Sequence, residues 1–293
     1  MMRYAYYPGC ASQVITKEYL SSTLKVAEML GIELREMVDA NCCGAGLFND
    51  YSRELNLTMS ARIFAQAETM GLDILTICNT CLMVMSRANK ELKDNPELLE
   101  SINKNLKKIG LNYRGDVKIT HLHWVLVKDF GLKRLEQHII KPLHGLKVAP
   151  YYGCHILRPS EVLAFEDPEN PSSLERLIKT LGAEPVSYEG RLKCCGFQIV
   201  LATRDTAVDM IGKRLAEAKD HGGDCIVTPC PLCHINLDTY QGYAEKHMGR
   251  KIDMPVFQVA QLVGLAMGFT PADMALSRHL VSPERVLREI GID

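Results

Sequence analysis

The sequence predicts an α/β protein made of two repeated α/β domains with mostly parallel sheets, related by pseudo-twofold symmetry. Three observations carry that expectation. Ten of the eleven cysteines fall into two sets with matching spacing, short β-rich runs stop at Gly-Cys in both halves, and strand-like runs alternate with runs of helical period.

Taken in order, RYAYYPGC aligns without gaps on KVAPYYGC, and each reads as a strand that delivers a cysteine from its carboxyl end, Cys10 in one copy and Cys154 in the other. Vicinal pairs backed by glycine come next: Cys42, Cys43 and Gly44, then Cys194, Cys195 and Gly196. Helical spacing follows in Leu55, Met59 and Ile63 and in Ala207, Met210, Ile211, Leu215 and Ala218. DILTIC and CIVTPC read as buried strands ending on the first cysteine of a C-x2-C pair, Cys78 with Cys81 and Cys230 with Cys233. KITHLHWVLVKDFG and PVFQVAQLVGLAMG suggest a further strand passing into a helix in each copy. The tail after residue 270 lies outside the repeat and carries a helix start, with Ser282 as cap and Pro283 as first helical residue.

The boundary falls near KPLHGLK, residues 141 to 147, giving an N-terminal domain over 1–144 and a C-terminal domain over 145–293 that includes the helical tail. The copies differ by insertions. The second has eight extra residues, mainly in the loop-like EDPENPSS, and the first is about 15 residues longer around KDNPELLESINKNLKKIG, a candidate docking element or a solvated helix. In parallel α/β sheets, sites form beyond the carboxyl ends of the strands. All ten cysteines should collect there, the two sets facing a shared interface.

Composition excludes several classes. Lys and Arg number 34 against 35 Asp and Glu, a net charge of -1, which leaves no basic surplus for nucleic acid or an anionic membrane. With 47% hydrophobic residues the chain can bury one large core or two smaller ones. No run of 18 apolar residues occurs and MMRYAYYPGCASQ lacks a leader pattern, so a soluble cytoplasmic protein with no direct membrane insertion is expected. Thiols stay reduced there, which favours metal ligands or redox groups over disulfides.

Adjacent cysteines have Cα atoms about 3.8 Å apart, closer than a relaxed disulfide prefers. Each set has the form C-x31-CCG-x33-C-x2-C or C-x39-CCG-x33-C-x2-C, five thiols in one motif. Zinc needs four, and so does a cubane 4Fe-4S cluster. A fifth is superfluous for either, whereas two adjacent thiolates can reach different irons of a polynuclear centre or bridge a pair of them. The glycine behind them lets backbone N–H groups approach the sulfur.

These motifs, with YYPGC, NCCGAG and especially PYYGCHILRPS, make residues 3 to 268 resemble the CCG domains of the B-type subunit of heterodisulfide reductase. The resemblance implies two non-cubane 4Fe-4S clusters. Cys10, Cys42, Cys43, Cys78 and Cys81 would hold the first, and Cys154, Cys194, Cys195, Cys230 and Cys233 the second. It also implies reductive cleavage of the disulfide between coenzyme M and coenzyme B, held between the clusters. No C-x2-C-x2-C-x3-C-P run and no G-x-G-x-x-G after a strand is present, so electrons must come from elsewhere. The partners implied by the resemblance are a ferredoxin-type iron-sulfur subunit and, through it, a flavin-bearing subunit. The competing expectations are an iron-sulfur electron-transfer subunit of a lactate, glycolate or succinate dehydrogenase, and a zinc-stabilised binding module.

Other residues have assigned expectations. Cys225 reads as a buried structural thiol. His155 and His234, directly after Cys154 and Cys233, are candidate proton donors or hydrogen-bonded neighbours of the second site. Lys193, Arg158 and Arg204 are candidate anchors for an anionic substrate. His121, His123 and Trp124 lie at a strand-helix junction, where core packing competes with a site role and is preferred for Trp124.

Overall fold

The structure, a computed structural model, describes residues 1–292. The first half forms a parallel sheet from β1 (Met2–Tyr7), β2 (Ile32–Glu36), β3 (Ile74–Thr76) and β4 (Ile119–His121), in the order β2-β1-β3-β4. The second repeats it with β5 (Lys147–Pro150), β6 (Glu184–Pro185), β7 (Cys225–Thr228) and β8 (Val256–Gln258), in the order β6-β5-β7-β8. Pairing is parallel throughout, so every connection must be a crossover.

Strand order reverses at β1 and again at β5. Tyr6 has Glu36 on one side and Leu75 on the other, and Val148 has Pro185 and Cys225. Chains leaving such a strand diverge and open a crevice beyond its carboxyl end. Cys10 and Cys154 follow directly from those two ends. Alternate residues face opposite layers, as strand geometry requires. Tyr6, Leu75, Val148 and Val227 join one core, while Ala5, Tyr7, Ile74, Ala149 and Ile226 join the other.

The crossovers are made by α1 (Lys17–Met29), α2 (Arg53–Met70), α3 (Asn79–Asp94) and α4 (Pro96–Lys107) in the first half. In the second they are α5 (Ser173–Thr180), α6 (Arg204–Asp220), α7 (Pro231–Thr239) and α8 (Gln241–Met248), and α9 (Val259–Ala266) follows the last strand. Local signals explain the boundaries. Ser52 accepts a hydrogen bond from the Leu55 N–H at 3.2 Å to start α2, and Gly71 ends it in a left-handed conformation. Asn95 caps α4 at 3.0 Å with Pro96 in its first turn. The long insertion of the first copy is thus an ordinary amphipathic helix that buries Ile102, Asn103 and Leu106. Asn103 fixes it by donating to the Tyr113 carbonyl at 2.8 Å and accepting from the Tyr113 N–H at 2.9 Å.

The halves exchange helices. From α1, Tyr19 donates its hydroxyl to the Cys230 carbonyl at 3.1 Å, and Gln258 at the end of β8 donates to the Glu18 carbonyl at 2.7 Å. Reciprocally, Ser173 on α5 hydrogen-bonds His123 Nε2 in the first half at 2.7 Å. Such reciprocity is what the expected pseudo-twofold relation produces. Within the second half, Gln258 and Gln261 form a capping box that opens α9.

The tail wraps back over both halves. Arg278 Nε donates to Glu18 Oε2 at 2.9 Å, and Asp238 accepts from the Leu280 and Val281 N–H groups at 2.8 and 3.0 Å. The final helix, α10 (Glu284–Glu289), begins one residue later than the sequence suggests. Ser282 Oγ caps the Glu284 N–H at 3.3 Å, while Pro283 takes the cap position itself. Among the described residues, no helix is long and apolar enough to cross a membrane.

Candidate metal centres

Each half gathers its five cysteines with the same set of local devices. Tyr7 donates to the Asn41 carbonyl at 2.9 Å and its counterpart Tyr151 to the Lys193 carbonyl at 2.7 Å, so a strand tyrosine pins the residue just before each vicinal pair. Gly44 and Gly196 direct their N–H groups at Cys42 and Cys194 Sγ, both at 3.3 Å. Thr76 and Thr228 accept from the N–H groups of Cys78 and Cys230, at 3.3 and 3.4 Å, fixing the turn into each C-x2-C helix. The space left by the missing Cβ is also filled. A Cβ at Gly44 would strike the Phe48 ring, and one at Gly196 would meet Ala207 at 3.2 Å.

The sulfurs lie close together without disulfides. Cys10 and Cys42 Sγ are 3.6 Å apart, Cys43 and Cys81 Sγ 3.2 Å, and all eleven cysteines are free. The two sets also face each other: Cys78 and Cys230, equivalent positions in the repeat, influence each other's charge across the interface, Cys230 raising the pKa of Cys78, while burial opposes but Cys233 and then Cys78 lower that of Cys230. Equivalent atoms of two copies meet only at the axis that relates them.

Crowding controls the charge. Hydrogen bonds from Cys10 and Cys43, with the Gly44 N–H, hold the Cys42 thiol at about 2, while the bond to Cys42 pushes Cys43 up to about 12. Cys194 is likewise held at about 2, by Cys154 and Cys195. One sulfur of the first half, Cys42, and two of the second, Cys194 and Cys230, carry charge at the expense of their neighbours, and no lysine or arginine figures among the main influences on any of the ten. Five soft sulfur donors in a pocket without a cation suit a multivalent thiophilic centre. Among the described residues, no group of three His, Cys, Asp or Glu side chains is arranged around a single metal ion.

Cavities lie beside these sulfurs. A small one is bounded by Cys154, Cys194, Cys195, Cys230 and Cys233 together with Asn79 and Thr80 of the other half. A cleft of about 300 Å³ adjoins it, and His155 and Gln198 line both. Asn79 donates to the Tyr152 carbonyl at 2.9 Å, and Thr80 Oγ1 lies 3.0 Å from His155 Nδ1, so the intervening residues of the first C-x2-C build the second site.

The two candidate histidines part company. Burial lowers the pKa of His155, opposed by the charges of Cys230 and Cys194. His234 points elsewhere: its Nε2 is 3.8 Å from Glu18 Oε1, and its ring meets the edges of Tyr19 and His279. None of the three candidate cations lines either cavity. Arg158 pairs with Glu169 at 2.7 Å, Arg204 stacks on Tyr243 at 4.2 Å, and Lys193 is exposed beside Cys194. Among the residues that do line the cleft and were not expected are Arg87, Asn56 and Gln198. Cys225 is fully buried among core residues, and Trp124 stacks on Phe165 at 4.7 Å.

His121, His123 and His279 are buried, and burial pulls them down to about 4, 3 and 4. Below about pH 6.5 the unfolded chain therefore binds protons that the fold refuses, and stability falls by up to about 1.4 kcal/mol per pH unit for each histidine. The expected result is a Tm that is level above pH 7 and drops steadily from pH 6 to pH 4, less steeply in His279→Gln. A Tm independent of pH over that range would contradict it.

Fold and site together define a duplicated, thiol-rich α/β protein with two five-cysteine centres at the interface of its halves. The chain belongs to the CCG family: the pattern of the cysteine-rich domain matches residues 4–86 and again 148–238. It is 38% identical to the 8-methylmenaquinol:fumarate reductase membrane anchor subunit of Wolinella succinogenes, over 97% of this chain and 98% of that one. It is 34% identical to the B-type subunit of the ferredoxin:CoB-CoM heterodisulfide reductase of Methanosarcina mazei, over 90% of this chain and 88% of that one. A Helicobacter pylori protein described as hypothetical has a similar fold, with a TM-score of 0.76 at 17% identity over 96% of this chain, which spans 52% of that longer one.

Proposed function

We propose that the chain is an iron-sulfur subunit of an oxidoreductase complex that reduces a disulfide to two thiols, the coenzyme M–coenzyme B disulfide being the substrate of choice. One observation carries the reading: both five-cysteine sets are complete, and Asn79 and Thr80, between Cys78 and Cys81 of the first, wall the cavity of the second beside a cleft shared by the two halves. Cys10, Cys42, Cys43, Cys78 and Cys81 would hold one non-cubane 4Fe-4S cluster, and Cys154, Cys194, Cys195, Cys230 and Cys233 the other. Such clusters supply single electrons and a Lewis-acidic iron for sulfur. The overall change is one disulfide, two electrons and two protons to two thiols. The electrons come from a ferredoxin-type iron-sulfur subunit, itself served by a flavin-bearing subunit.

The chain's own residues account for the remaining requirements. Gly44 and Gly196 offset sulfur charge with their N–H groups, and the buried C-x2-C turns keep water away. His155, oriented by Thr80 and lining both the cleft and the sulfur-walled cavity, is the proton donor of choice.

A second reading rests on the similarity to the Wolinella succinogenes fumarate reductase subunit. There the chain would pass electrons towards a dehydrogenase partner and cleave no disulfide. Anaerobically prepared protein decides. The disulfide reading expects about eight irons and eight acid-labile sulfides per chain, together with reduction of the coenzyme M–coenzyme B disulfide by a viologen. Full iron and sulfide with no disulfide reduction supports electron transfer instead, and stoichiometric zinc with little sulfide removes both.

A further inference from the structure

We infer that the cleft between the halves is where one end of the substrate is held, and that Arg87 and Asn56 select an anionic molecule bearing a hydrogen-bond donor. The inference rests on the proposed disulfide reduction and adds the chemical class of the ligand. The cleft is walled by the segment after the first vicinal pair, by α3, and by His155 and Gln198 of the second half. On α3 its lining residues are Met83, Val84, Arg87, Ala88 and Glu91, a single stripe along the helix.

The stripe has an apolar part and a charged part. Arg87 is exposed, and among the described residues no carboxylate pairs with it, because Glu91 is taken by Arg53. Asn56 is only 7% exposed, and its Oδ1 has no hydrogen-bond partner. A buried carbonyl oxygen without a donor is unfavourable, and an N–H or O–H on a ligand in the cleft would satisfy it. Asp50, also lining the cleft, repels further negative charge at the rim, so one anionic end is accommodated and not two.

Position completes the assignment. Arg87 follows Cys81 by six residues, about 9 Å along the helix axis. A ligand anchored there by a carboxylate, sulfonate or phosphate lays its apolar body on Met83 and Val84. Its far end reaches His155 and Gln198, the two residues common to the cleft and the sulfur-lined cavity. The guanidinium acts as an anchor, remote from the bond that breaks.

The test uses cluster-loaded protein and three disulfides, each followed by calorimetric binding and by viologen-driven turnover. They are the anionic coenzyme M–coenzyme B disulfide, neutral bis(2-hydroxyethyl) disulfide and cationic cystamine. Arg87→Gln should raise Kd and KM for the anionic disulfide about 10- to 100-fold, with kcat unchanged and the neutral compound unaffected. Arg87→Lys should restore part of the loss, and Asn56→Leu should weaken the anionic disulfide and the hydroxyl-bearing neutral one alike, because both carry donors for the Asn56 oxygen. Unchanged binding of the anionic compound in Arg87→Gln, equal weakening of all three, or preference of the natural protein for cystamine would overturn the inference. If fully loaded natural protein reduces none of them, the disulfide reading fails. The cleft assignment then still stands if calorimetry finds the anionic compound bound and Arg87→Gln weakens it, and falls if nothing binds.

Discussion

Cys43→Ala and Cys195→Ala should each reduce disulfide turnover at least 100-fold, although each touches only one of the two sets. On the proposed reading, both sulfurs of the substrate must be received at the interface where Cys78 and Cys230 meet, so one intact set has no partner for the second sulfur. Each variant should lose about half of its iron and sulfide, and the remaining half should keep its spectrum. The fold should survive, since removing one small buried sulfur costs about 1–2 kcal/mol by analogy with other small core deletions. Two variants that each kept about half of the natural rate would mean independent sites and would sink the bridging arrangement.

Gly153→Ala should damage the second centre specifically. Gly153 has a φ of +69°, and a Cβ there would lie 3.0 Å from Cys233 Sγ. Alanine in a left-handed conformation costs about 1–2 kcal/mol, and the methyl group also drives the sulfur away. Gly145→Ala is the matched control, because Gly145 has a φ of +86° with nothing within 4 Å of a Cβ. Both should lower Tm by several degrees. Only Gly153→Ala should alter cluster content and absorption, and the counterpart Gly9, whose Cβ would lie 3.2 Å from Cys81 Sγ, should behave alike in the first half. Equal spectra for Gly153→Ala and Gly145→Ala would mean that the sulfur position is not set by this contact.

The sequence was most legible where chemistry repeats. Cysteine spacing marked both five-cysteine sets and the β-α units around them, because equivalent cysteines are delivered by equivalent turns. The strands ahead of each vicinal pair, β2 and β6, left little signal: β6 is two residues, Glu184 and Pro185, and pairs with β5 alone. His155 and His234 show a finer limit. Both follow a cysteine, yet His155 lies in a turn that faces the cavity, whereas His234 sits within α7, where each residue is rotated about 100° from the last. Adjacency to Cys233 therefore carries it to Glu18 and away from the sulfurs. The anchoring residues were hidden for a different reason. Arg87 and Asn56 belong to separate helices whose convergence depends on tertiary packing, and surface arginines are too common for one to be singled out by type. Asn79 and Thr80 were open to view inside the first C-x2-C, but their use by the opposite half follows only from the exchange of contacts.

That exchange bears on how the protein is made. Glu18 receives Arg278, Tyr19 donates to the Cys230 carbonyl, and Gln258 closes on the carbonyl of Glu18, so an early helix completes its bonding only with residues synthesised at the far end of the chain. Domains commonly fold as they leave the ribosome. Here the amino-terminal half emerges with one face of α1 bare and Cys78 lacking its partner, and stays so until nearly the whole polypeptide has been released. The seam between the halves is thereby closed only in the finished chain, and a truncated translation product would leave Glu18 and Tyr19 without these partners.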